Sequence, residues 1–198
     1  YQQAIEMAPD SAVYYSNLGG AYEKLEEYDL AYAAYADAVA VDPSYDTVYN
    51  KWGNLLFFEA RYAEAAEKYQ LAIAANPGDA VYRANLGGAY REMEEWELAA
   101  AAYAAAVEIN PAYAYAWNQW GNALYSLGQY SDAAGKYQQA VDMSPNTAVY
   151  HYNLGLAYYQ LDQYADARPE LQRAAELAEQ EGDLGLKQDA DDMLARLP

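Results

Sequence analysis

Gly19, Gly53, Gly87, Gly121 and Gly155 stand 34 residues apart along the chain. Pro9, Pro43, Pro77, Pro111 and Pro145 keep the same step. So do two alanine series, Ala31, Ala65, Ala99, Ala133, Ala167 and Ala38, Ala72, Ala106, Ala140, Ala174, and an aromatic series, Tyr28, Tyr62, Trp96, Tyr130, Tyr164. Chance does not hold five series in register. A period this long marks a repeated supersecondary unit that cannot bury its apolar face alone and finds its core against its neighbours. Composition says which unit. Hydrophobic residues make up 54% of the chain, yet mean hydropathy is −0.40, because the apolar content is mostly Ala and Tyr. Ala is the best helix former, and 7 prolines with 12 glycines leave long stretches free of breakers. Each repeat therefore reads as helix A, a tight turn, helix B and a stop, with Pro beyond helix B because it cannot continue it. The Gly of helix A and the two Ala of helix B are expected to let two backbones approach closely. The tyrosines are expected to fill the space between helices, with hydroxyls reaching a rim or water.

The residues around each Gly carry a resemblance. YSNLGGAY, YNKWGNLL, RANLGGAY, WNQWGNAL and HYNLGLAY resemble the first half of the tetratricopeptide repeat, W-x2-L-G-x2-Y. Ala31-x3-Tyr35, Ala65-x3-Tyr69, Ala99-x3-Tyr103 and Ala133-x3-Tyr137 match the second half, A-x3-F, with Tyr for Phe. The fifth repeat departs, with Leu171 at that place and Glu179 where Pro is expected. The resemblance implies an all-α chain, an α-solenoid wound as a right-handed superhelix. The expected arrangement is a partial repeat over 1–11, five repeats over 12–45, 46–79, 80–113, 114–147 and 148–181, and a capping helix over 182–198, together one domain.

A second period of 68 overlies the first, since AVYYSNLGGAYEKLEEYDLA (12–31) returns almost unchanged at 80–99 and again at 148–167. Chemistry on the A helices should therefore alternate from repeat to repeat. Tyr1-x2-Ala4-Ile5 and Pro9 match the second half of a helix B. The expectation is a fragment of a longer chain whose exposed first helix could stack on a second copy, giving a homo-oligomer. At the other end, helix B of the fifth repeat is expected to run through Glu181, with Pro169 early enough to be tolerated.

Charge and composition remove several classes of function. Thirty acidic against 11 basic residues leave a net charge of −19, a field that repels phosphate backbones, so no nucleic-acid partner is expected. No apolar run approaches the roughly 20 residues of a membrane span. Without Cys there is no disulfide and no thiol nucleophile. Neither a Ser-His-acid set nor a metal-spaced His cluster can be drawn, so no enzyme activity, metal or cofactor is expected. His151, the single His, reads as a partly packed ring. The pairs Glu26-Glu27 and Glu94-Glu95 read as solvated turn residues. Compartment is not readable from the chain.

What remains is a scaffold that holds another protein, with a self-assembly module or a regulatory domain of a larger enzyme as the alternatives. The resemblance implies that helices A line a concave face on which peptides commonly bind, so the candidate contacts lie near the repeat Gly, on one helical face. Asn17, Asn85 and Asn153 precede it by two residues, Asn50 and Asn118 by three, and Asn54 and Asn122 follow it directly. A side-chain amide both donates and accepts, so such a ladder can grip a peptide backbone whatever its sequence. Phe57, Phe58, Tyr125, Tyr152 and Tyr159 add aromatic contacts, and Arg91 a cation. Gly20 and Gly88 leave room between them. Lys51 and Arg91 stand as isolated cations, too few for a clamp on acidic peptide tails, so a neutral or basic peptide is the expected partner.

Overall fold

A computed structural model describes all 198 residues, and they fold into twelve α-helices. These group into two compact units, Tyr1–Glu94 and Glu95–Pro198. The first holds α1 (Gln2–Met7), α2 (Ala12–Lys24), α3 (Tyr28–Val41), α4 (Asp46–Phe58), α5 (Tyr62–Ala75) and α6 (Ala80–Glu92). The second holds α7 (Trp96–Ile109), α8 (Ala114–Ser126), α9 (Tyr130–Met143), α10 (Ala148–Gln160), α11 (Tyr164–Glu181) and α12 (Leu184–Arg196). Within each unit, successive helices pack as antiparallel hairpins. The fold is all-α, as the repeats require.

The register is uniform. Helices α2, α4, α6, α8 and α10 each have 13 residues, while α3, α5, α7 and α9 each have 14. Each of these four B helices stops two residues before its Pro, where the missing N–H would break the next turn. Helix α11 runs through Glu181 and carries Pro169 in its second turn, and Gly182, with φ of 77°, ends it in a left-handed cap.

The close approach is of another kind than the backbone contact expected. A Cβ added at Gly19, Gly53 or Gly121 would lie 2.5, 2.6 and 2.5 Å from Cε1 of Tyr35, Tyr69 and Tyr137. At these three positions the A-helix Gly thus makes the hole for the aromatic ring of its own B helix. At Gly155 the occupant is Leu171, whose Cγ would lie 2.7 Å from the added carbon. The rings themselves are core: Tyr35 is 0% exposed, Tyr69 and Tyr137 2%. Their flanks are the repeat alanines, Ala31, Ala38, Ala65, Ala72, Ala133 and Ala140, all fully buried.

The A–B turns share one backbone feature. Glu26, Ala60, Glu94 and Asp162 have φ near +58 to +59°, and Gly128, at the same register, +74°. Only glycine enters this region without a Cβ penalty. Ala60→Gly is therefore expected to leave the fold intact and to change stability by no more than about +1 kcal/mol in the stabilising direction, strain relief outweighing the added freedom of the unfolded chain. Chemical denaturation beside wild type reads this directly, and a loss of stability would show that the turn is relaxed with alanine.

Candidate functional site

Helices α4 and α6 of the first unit bring three of the candidate asparagines together. Asn85 Nδ2 donates to Asn50 Oδ1 at 2.8 Å and to Asn54 Oδ1 at 3.4 Å. Tyr69, from α5, reaches through its glycine hole and donates its hydroxyl to Asn54 Oδ1 at 2.9 Å. Burial pushes the Tyr69 phenol well above its ordinary pKa, so the hydroxyl stays protonated and is a donor.

The second unit repeats the arrangement on α8 and α10. Asn153 Nδ2 donates to Asn118 Oδ1 at 2.9 Å and to Asn122 Oδ1 at 3.3 Å, and the Tyr137 hydroxyl donates to Asn122 Oδ1 at 2.8 Å. The two networks match atom for atom at a displacement of 68 residues. Each ties the A helix of an even repeat, α4 or α8, to that of the odd repeat that follows, α6 or α10.

One residue separates them. Gln119 stands where the first unit has Lys51, and its Oε1 accepts from Asn122 Nδ2 at 2.7 Å. Lys51 turns the other way, to Ser16 Oγ at 3.2 Å. The second network is therefore closed, with Asn118 only 4% exposed. In the first, Asn54 is exposed and Asn50 and Asn85 are half-buried. The amide donors of Asn50 and Asn54 and the carbonyl of Asn85 keep hydrogen-bonding capacity that this network does not use.

The surface hollows follow the same asymmetry. Two adjoin on the first unit. One of about 370 Å³ is lined by Asn17, Gly20, Lys24 and Lys51 among others, and one of about 390 Å³ by Asn54, Leu55 and Phe58 with their neighbours. A Cβ at Gly20 would meet only the Tyr35 hydroxyl, at 3.9 Å, so this glycine does leave room. The second unit's hollow beside Asn122, Tyr125 and Asn153 holds about 200 Å³.

The aromatic candidates divide. Phe58 is 73% exposed and sets its ring edge-on to Tyr28, centroids 6.1 Å apart. Phe57, Tyr125 and Tyr159 pack edge-to-face on Tyr62, Tyr130 and Tyr164, the first aromatic of each following B helix. Tyr125 also accepts from Gln160 Nε2 at 2.9 Å. Tyr152 packs against Met193 and Ala190 of α12. The Arg91 guanidinium donates to Glu92, with Nη2 at 2.5 Å, so its charge is offset locally.

Sequence reasoning missed a second set of contacts at the first position of the signature. Trp117 Nε1 donates to the carbonyl of Pro111 at 2.9 Å, and the Tyr49 hydroxyl to that of Pro43 at 3.2 Å. Arg83 donates to the Pro77 carbonyl, and His151 Nε2 meets that of Pro145 at 2.9 Å. Four unlike residues do one task, because each offers an N–H or O–H that reaches back six positions to a carbonyl beyond the preceding helix.

Comparison with known proteins agrees with the fold. Residues 12–45, 50–114 and 148–181 match the tetratricopeptide repeat, and residues 121–162 the TPR repeat. The chain belongs to the tetratricopeptide repeat family. Small glutamine-rich tetratricopeptide repeat-containing protein 2 of Mycosarcoma maydis is 32% identical over 93 residues, 47% of this chain and 26% of that protein. The chain thus spans about a quarter of that relative's length. YrrB, described as a TPR protein with an unusual peptide-binding site, superposes with a TM-score of 0.79 at 26% identity, covering 96% of this chain and 97% of its own. The first TPR of Spaghetti, bound to the HSP90 peptide SRMEEVD, superposes with a TM-score of 0.59 at 25% identity over 61% of this chain and 96% of its own. A protein-interaction scaffold is the function this family and these neighbours support, and no helix is long and apolar enough to cross a membrane.

Proposed function

We propose that the chain holds an extended, neutral or basic segment of a partner protein on its A-helix faces, gripping the backbone through the open asparagine network of the first unit. The observation that carries this is the arrangement of Asn50, Asn54 and Asn85, whose amides are fixed by one another and by Tyr69 while leaving donors and an acceptor unused. Groups already held in place lose little freedom when a ligand arrives. A peptide backbone offers the matching pair, one N–H and one C=O per residue. The peptide-bound state of a neighbouring TPR and the peptide-binding site ascribed to YrrB support the same use of the fold. In the second unit Gln119 already takes one of the two amide hydrogens of Asn122, and Asn118 is buried, so that network serves chiefly to hold α8 against α10.

The test is selection of a randomised peptide library on the immobilised chain, followed by titration of selected peptides. Asn85→Ala and Asn54→Ala are expected to weaken binding about tenfold each, one buried-side hydrogen bond apiece. Asn153→Ala should change peptide affinity little. Selected peptides that bind the Asn85 and Asn54 variants as well as wild type would remove the network from the binding site.

A further inference from the structure

The hollow of about 390 Å³ at the end of α4 has an aromatic wall and an acidic rim. Phe58 and Tyr28 make the wall, edge to face, over Leu55 as floor. Glu23 and Glu26 stand at the rim with Lys24. Glu23 accepts the Tyr35 hydroxyl on Oε1 at 2.5 Å, which leaves Oε2 without that partner. Glu26 sits at the left-handed residue of the turn, fully solvated. Phe58, at 73%, is far more exposed than its role in any core would need.

The chain shows elsewhere what such a surface accepts. Arg61 lays its guanidinium over Tyr32, 5.2 Å from the centroid, while bonding Glu59 and Glu64. Lys68 lies 4.0 Å from the Trp52 centroid, and Lys136 4.0 Å from that of Trp120. At each place an aromatic face takes a cation, and at Arg61 carboxylates share it. The Phe58–Tyr28 wall offers the same combination of rings and neighbouring carboxylates to a cationic side chain of a partner.

We infer that this hollow is a specificity pocket for an arginine side chain of the segment bound on the first unit. The inference rests on the peptide-holding function proposed above and names the side chain it selects. Arginine fits better than lysine because a planar guanidinium can stack on a ring and bond a carboxylate with two parallel N–H groups. An aliphatic side chain would use the wall and leave the rim idle. The net charge of −19 draws basic segments toward the unit and repels acidic ones. Asn54 lines the same hollow and belongs to the amide network, so backbone grip and side-chain pocket adjoin.

Lys24 supplies the discriminating sign. It shares the rim with both carboxylates, so its charge opposes a cationic occupant. Among library peptides selected on the wild-type chain, arginine is expected to be enriched at one position over its frequency in the library. For such a peptide, followed by fluorescence anisotropy, Phe58→Ala and Glu26→Gln are each expected to weaken binding about three- to tenfold. Lys24→Gln is expected to tighten it about two- to threefold. All three residues are solvent-facing, and circular dichroism of each variant confirms the fold. Selected peptides without enriched basic residues, or tightening by Glu26→Gln with weakening by Lys24→Gln, would overturn the pocket while leaving the asparagine grip standing. Failure to select any peptide would remove both.

Discussion

Tyr137→Ala is expected to lower the stability of the second unit by about 3–5 kcal/mol, the range for removing a large buried ring. The ring is 2% exposed and sits among Leu124, Ala133, Ala134, Val141, Leu154 and Ala157. Its hydroxyl also anchors the Asn122 carbonyl that Asn153 shares. Tyr137→Phe separates the two contributions. It keeps the ring and removes one neutral hydrogen bond, for an expected loss of about 1 kcal/mol. The reciprocal change, Gly121→Ala, drives a Cβ to 2.5 Å from the same ring and is expected to cost about 1–3 kcal/mol by overpacking. In the Tyr137→Ala background that clash has no second partner, so Gly121→Ala should there be nearly neutral. Chemical denaturation of the four chains, with hydrogen exchange on α8 and α9, closes the cycle. Additive losses would show that glycine and ring do not act as a pair.

That pair also shows how far the amino-acid pattern reaches. The helices of the repeats were legible, because a Pro stands just beyond four of the B helices and the apolar positions recur with it. The physical task of the glycine was not. A period tells which residues recur, and Gly19, Gly53 and Gly121 recur with Tyr35, Tyr69 and Tyr137, but whether the hole admits a backbone or a ring depends on how far apart the helix axes lie. The left-handed turn residue was hidden for a different reason. Glycine marks it once, at Gly128, and Glu26, Ala60, Glu94 and Asp162 carry the same strain unannounced. The candidate asparagines were chosen by register, and the structure adds that all of them but Asn17 bond one another. Those contacts span 31 and 35 residues, an offset set by how neighbouring hairpins stack. The donors to the Pro carbonyls escaped because Tyr49, Arg83, Trp117 and His151 share a hydrogen-bonding property and no residue type.

His151 turns that shared property into a pH dependence. Its Nε2 faces the Pro145 carbonyl at 2.9 Å and its Nδ1 the Glu170 carboxylate at 2.6 Å, while the side chain is 9% exposed. Two acceptors around one ring call for two N–H donors, which only the imidazolium has. The hydrogen bond to Glu170 accordingly holds the His151 pKa above its ordinary value, against the opposing effects of burial and of Arg173. The folded state binds the proton more tightly than the unfolded chain, so the stabilisation is complete below the unfolded pKa of about 6.5 and is lost as pH rises through the higher folded pKa. A charge-assisted hydrogen bond at a nearly buried site contributes about 1.5–3 kcal/mol. The second unit is therefore expected to be less stable in mildly alkaline than in mildly acidic buffer, with α10 loosening from α11 first. Glu170→Gln should flatten this dependence, since the amide has no charge to hold the proton. His151→Trp offers the indole N–H that Trp117 already gives to Pro111, and should keep the carbonyl contact while removing the titration. Denaturation of the three chains between pH 5.5 and about 8.5 reads both effects, a window chosen to bracket the raised pKa of the imidazole. A wild-type profile parallel to that of His151→Trp would show that His151 does not titrate within the folded unit.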